Sequence, residues 1–152
     1  MQNSQAIGVA FADQIISGGT VDNTPIGALT PSTVAGTTVY ASQEIGYTAG
    51  AQGTVTQATS KSTGVTLNAS AGQITMNNAS LASATNVTFT LTNSTLSAKD
   101  VLILNVTNGT SGAYNAFVSS NAAGSATITL RNISAGSLSE AVVLNFAILH
   151  CA

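Results

Sequence analysis

The sequence predicts an all-β fold, an antiparallel β-sandwich of jelly-roll type (46–152) preceded by an extended N-terminal arm (1–45). Three observations predict it. Short segments alternate apolar and polar residues, as in "NVTFTLTN", where Val87, Phe89 and Leu91 face one way and Thr88, Thr90 and Thr92 the other. Clusters of Gly, Ser, Asn and Ala separate these segments at a spacing of about ten residues, the rhythm of a sandwich. After Gly46 no helical period is visible.

The arm comes first. "SGGTVDNTPIGALTPSTVAGTTVYASQE" holds both prolines, Pro25 and Pro31, and has little regular period. Proline lacks the amide hydrogen a ladder needs and fixes its own φ, so this stretch is expected to be extended and laid along a partner. Upstream, Ile7, Phe11 and Ile15 recur at i, i+4 and i+8, which suits one face of a short helix.

Strand segments follow in order: "GTVTQAT", "GVTLNAS", "GQITMNN", "NVTFTLTN", "DVLILNVTN", "AYNAFVSS", "SATITLRN" and "EAVVLNFAILH". The connections "ASAG", "SLSAKD", "NGTSG", "NAAG" and "SAGSLS" consist of turn-forming residues. The continuous apolar run in "VLILNV" predicts a strand buried on both faces at the centre of a sheet. The apolar stretch Ala141–Leu149, interrupted by Asn145, is too short to span a bilayer and also reads as a buried strand.

Charge is scarce. Five acids and three bases make up 5% of the chain, against about 25% in an ordinary soluble protein. Such a chain has no basic stripe for phosphates or for an anionic membrane, so neither nucleic acid nor membrane is an expected partner. It also lacks the repulsion that keeps monomers apart, and self-association is the expectation. The N-terminus has no basic region followed by an apolar core, so synthesis and assembly in a cytoplasm are expected. A single cysteine, Cys151, leaves no intrachain disulfide. Asn-x-Ser/Thr triplets begin at Asn68, Asn78, Asn86, Asn93, Asn105, Asn108 and Asn132; in a chain this rich in those residues, chance accounts for them better than glycans do.

No chemistry-bearing constellation emerges. The lone His150 and lone Cys151 are neighbours, and adjacent strand residues point to opposite faces, which separates a nucleophile from its base. Asp100 and Glu140 are the only acids after the arm, too few for a calcium or zinc site, and nothing in their spacing suits a glycosidase. Lys99 and Asp100 are expected to face water in a turn, and Arg131 and Glu140 to form an ion pair across a loop. The glycines fit neither a Walker nor a Rossmann spacing. With no Trp, a sugar platform would fall to Tyr47 or Tyr114, and core or subunit packing is the plainer role for the aromatic residues. The chain is expected to be no enzyme and to need no cofactor and no metal.

Three segments resemble a known family. "TVDNTPIGALTPSTVAGTT" (20–38) is similar to a TPIGA-TPST segment of tailed-bacteriophage virion proteins. Residues 53–106, from "GTVTQATSKSTGVTLN" onward, and "RNISAGSLSEAVVLNFAI" (131–148) resemble a β-rich module of phage capsid decoration (cement), head-fibre and tail-fibre proteins. The resemblance implies a structural virion protein on the outer capsid surface, a homotrimer anchored to the major capsid protein by its arm. The capsid-binding residues are then expected to be the arm's apolar and stiff members, Ile7, Phe11, Ile15, Pro25, Ile26, Leu29, Pro31 and Tyr40. The alternative is a tail-fibre or receptor-binding module that recognises a host-surface glycan.

Overall fold

The structure, a computed structural model, describes residues 33–151. The chain divides between Ser42 and Gln43. Residues 33–42 carry no regular structure and are exposed throughout. The second unit holds a single 3-10 turn, Ala49–Ala51, and eight strands: β1 (Gln52–Thr56), β2 (Val65–Thr66), β3 (Ala71–Thr75), β4 (Asn86–Thr92), β5 (Val101–Asn108), β6 (Tyr114–Ala122), β7 (Ser125–Asn132) and β8 (Val143–Leu149). Each of the eight segments read from the sequence overlaps one of them, and no strand runs more than two residues beyond its segment.

The strands form two sheets of four, in the orders β1-β3-β8-β5 and β2-β4-β7-β6. The expected all-β sandwich is therefore what the chain builds, with one difference in strand direction. β1 pairs with β3, and β2 with β4, in parallel; the other ladders are antiparallel. The cause is the path of the chain. From β1 to β4 successive strands alternate between the sheets, so two strands of one sheet are separated by a strand of the other and run the same way. Only β6 and β7 form a hairpin, whose turn places Gly124 at φ +79°, a conformation open to glycine at little cost.

Alternation explains the core. Ile74, Leu144, Phe146 and Ile148 point inward from the first sheet, and Phe89, Leu91, Ile128 and Leu130 from the second; all are buried. Met76, Leu81, Leu96 and Val142 close the ends from the connections. β8 is the central apolar strand of the first sheet, as its sequence suggests. β5 is not central. "VLILNV" lies at the sheet edge, where Leu102 is buried while Val101 and Ile103 are 49% and 57% exposed. Both long edge strands carry a register shift, β5 between Val106 and Asn108 and β6 between Val118 and Ser120.

One glycine is required by a close approach. A Cβ on Gly72 would stand 2.6 Å from the Gly53 carbonyl oxygen and 2.9 Å from Leu67 Cδ2. The glycines paired at Gly53 and Gly72 thus leave the space that Leu67 fills between β1 and β3.

Side-chain amides close the loops. Asn93 and Asn132 are fully buried and make the same arrangement. Asn93 Nδ2 donates to the Ala69 carbonyl (2.7 Å), while its Oδ1 accepts from the Thr95 amide (2.9 Å) and hydroxyl (2.8 Å). Asn132 Nδ2 donates to the carbonyls of Leu81 (2.9 Å) and Gly136 (2.8 Å), and its Oδ1 accepts from the Ser134 amide (2.9 Å) and hydroxyl (2.7 Å). At these two positions the Asn-x-Ser/Thr triplet is a turn that ends a strand, which gives it a structural reason in place of chance. Gln57, also buried, donates to the carbonyls of Lys61 and Thr63 and accepts from the Asn77 amide.

Two stability predictions follow from these contacts. Gly72→Val forces the β1–β3 ladder apart and is expected to cost about 1–3 kcal/mol or more, read as a lower urea midpoint at unchanged m. Asn132→Ala leaves several buried polar groups unpaired and is expected to cost about 3 kcal/mol, whereas Asn86→Ala, at an exposed triplet, should change the stability by less than about 0.5 kcal/mol.

Candidate functional site

Of the arm residues expected to bind a partner, Tyr40 is described, and it is 93% exposed. Val34 and Val39 accompany it at 69% and 67% exposure. Ile7, Phe11, Ile15, Pro25, Ile26, Leu29 and Pro31 lie outside the described residues, as does the helical period built on the first three.

The two outer faces of the sandwich differ. On the second sheet Thr88, Thr90 and Thr92 do face outward. Thr88 is opposite Thr129 and their hydroxyls are 3.0 Å apart; Ser119 also hydrogen-bonds Thr129, which is left 4% exposed. β-branched side chains suit the pleat, and their hydroxyls satisfy each other across strands. Phe117, directly opposite Thr129 on β6, is 42% exposed and so belongs to this surface rather than to the core.

The outer face of the first sheet has two halves, and none of its four strands contains a charged residue. One half is polar. Gln73 Nε2 donates to Asn145 Oδ1 (3.0 Å), and Asn105 lies opposite Asn145 in the ladder. The other half is an apolar corner. Val101 is opposite Leu149, Ile103 is opposite Ala147, and Val101, Ile103 and Leu149 are each about half exposed. Ile45, 79% exposed, adds to it from the segment before β1. Ile45, Tyr47, Ile103, Ala147 and Leu149 line a shallow hollow of about 340 Å³. Tyr47 is half-buried and donates its hydroxyl to the Ile148 carbonyl, which fixes the wall of that hollow. Covering the exposed parts of Val101, Ile103 and Leu149 would gain on the order of 1 kcal/mol each.

Asp100, Glu140 and Lys61 are tied into the fold. Asp100 does not face water; its side chain is 1% exposed. It accepts from the Ser97 amide (2.8 Å) and hydroxyl (2.7 Å), from the Cys151 amide (3.0 Å), and it pairs with His150 Nδ1 (2.8 Å). The last residues of the chain are thereby tied to the turn before β5. Hydrogen bonds from Ser97 foremost, opposed by a smaller desolvation, hold the Asp100 carboxyl well below the usual carboxylate range. Ser97, Asp100 and His150 share an order unlike that of a catalytic triad. The carboxylate sits between the serine and the imidazole, so the serine has no base. Cys151 contributes its backbone amide, and its thiol lies 3.8 Å from the Leu149 carbonyl.

Glu140 does not pair with Arg131. Its carboxylate accepts from the Thr110 amide (2.9 Å), whereas Arg131 stands on the outer side of β7 between Asn86 and Asn115. Lys61, 3% exposed, donates to the carbonyls of Asn77 (2.5 Å) and Glu140 (2.6 Å), joining three connections; burial pulls its pKa down, against the opposing pull of Glu140. Tyr114 is half-buried with its hydroxyl enclosed near the Glu140 carboxylate, and desolvation foremost, then that carboxylate, push its pKa up. Tyr47 and Tyr114, the tyrosines that a sugar platform would use, are each half-buried. Among the described residues no group of three or more His, Cys, Asp or Glu side chains stands close enough to share a metal. Among the described residues, most of the exposed large apolar side chains lie in the segment 34–45 and at the corner of the first sheet.

Asp100 sets a pH dependence. Because its folded pKa lies below the unfolded value of 3.8, its stabilising effect is complete above that value and is lost as pH falls through the folded pKa. The urea midpoint should therefore hold steady from neutral pH down to about pH 5 and fall below about pH 4. Asp100→Asn should be less stable at pH 7 and should show a shallower acid fall. No protein-family model, curated protein or solved structure matches this chain.

Proposed function

We propose that this chain is a structural capsid decoration (cement) protein of a tailed phage, which binds the outer shell through its N-terminal arm and reinforces it as a trimer. The observation that carries the reading is the arm. Val34, Val39 and Tyr40 are apolar or aromatic, and each is at least two-thirds exposed in a stretch without regular structure. Extended chain of this kind gains by lying along another protein, where its backbone and side chains find partners. The resemblance of residues 20–38, 53–106 and 131–148 to phage virion modules supports the same role.

The physics of reinforcement is avidity. Each arm needs only a modest affinity, because arms joined through one trimer hold several shell subunits at once. A sandwich nearly free of charge suits a crowded lattice, where ordinary surfaces of one sign would repel their copies.

Removing residues 1–40 tests the reading against empty shells. The truncated protein is expected to lose about a hundredfold or more in apparent affinity while keeping a β-sheet circular dichroism spectrum. Full occupancy by the truncated protein would overturn the arm assignment. Copies counted per particle test the location. Tens to hundreds at icosahedral positions fit a cement, and a handful confined to the tail would identify a fibre module instead.

A further inference from the structure

We infer that the outer face of the first sheet is the contact between copies of this chain, with the apolar corner of Val101, Ile103 and Leu149 as its dry centre. The inference deepens the assembly reading above and rests on it.

Two properties of the face favour a second copy as its occupant, and a third sets how far the contact must reach. The first is neutrality. No charged residue occurs in β1, β3, β8 or β5, so the face offers no counter-charge to a charged partner and does not repel itself. The second is self-complementarity. An apolar corner matches another apolar corner. Amides carry both donors and acceptors, so Gln73, Asn145 and Asn105 can pair with amide or hydroxyl groups of neighbouring copies around an axis, which carboxylates could not do. The third is size. Four strands at about 4.8 Å spacing, five to eight residues long, present on the order of 400 Å² of flat ground before side-chain relief is counted. A standard interface takes about 800 Å² from each partner. The flat face, amide row included, is about half of that, so the contact must draw on side-chain relief and take in Ile45, which stands beside the corner and is 79% exposed.

Mass measurement by light scattering on the full chain, at one fixed concentration, tests this. The wild type is expected at a multiple of 15.1 kDa. Ile103→Lys and Leu149→Lys place a positive charge in the centre of the contact of every copy and should each weaken association about a hundredfold or more, giving monomer. Leu149 stands at the exposed end of β8, so its replacement leaves the core untouched; circular dichroism verifies the fold of each variant. Thr90→Lys, on the outer face of the second sheet, should stay assembled. A monomeric wild type, or assembly unchanged in both the Ile103→Lys and Leu149→Lys variants, overturns the inference. Shell binding is read separately: its loss on removing the arm bears on the cement reading, and the state of the lysine variants bears on the sheet face. A dimer abolished by Ile103→Lys would support the contact and count against the trimer.

Discussion

The sandwich depends on amide side chains that do the work usually shared with charged groups. Loops that cross between two sheets expose backbone carbonyls and amides at the ends of the core, where water is excluded and an unpaired group is costly. Asn93, Asn132 and Gln57 meet that demand from inside, each serving as donor and acceptor at once. Lys61 and Asp100, the charges that are buried, are fixed by neutral partners and by one imidazole. Few ions are then needed anywhere, and the outer faces can consist of threonine, amide and aliphatic side chains.

That economy links the interior to the surface. A threonine row whose hydroxyls satisfy one another, as Thr88, Thr129 and Ser119 do, asks little of water and can be covered without a large desolvation cost. A lysine or glutamate row would resist such covering. The first sheet goes further and exposes aliphatic groups at its edge, which is where β5 lies.

Much of the fold was legible because strand alternation and turn clusters are local signals, and each expected segment overlaps a strand. Two features were not legible. The parallel pairings depend on which sheet each strand joins, and nothing local states that. The place of β5 was misjudged because "VLILNV" has the composition of a buried strand; at a sheet edge the same aliphatic run faces outward instead. Asp100 looked like a solvated turn residue, yet the spacing of Ser97 three residues before it was the visible sign of a closed turn. The burial of Lys61 has no such signature, since its partners Asn77 and Glu140 come from distant connections. The Asn-x-Ser/Thr triplets ending at Thr95 and Ser134 were in plain view, and their position just at strand ends was the clue to their role.

The register shifts in β5 and β6 bear on how large any association can become. An uncharged strand at an open margin is a template on which further chains can add without limit, and neither margin here is guarded by lysine or proline. A local kink spoils the even spacing of free donors and acceptors that such templating requires. Strand addition at these two long margins is thereby disfavoured in a protein with almost no electrostatic protection.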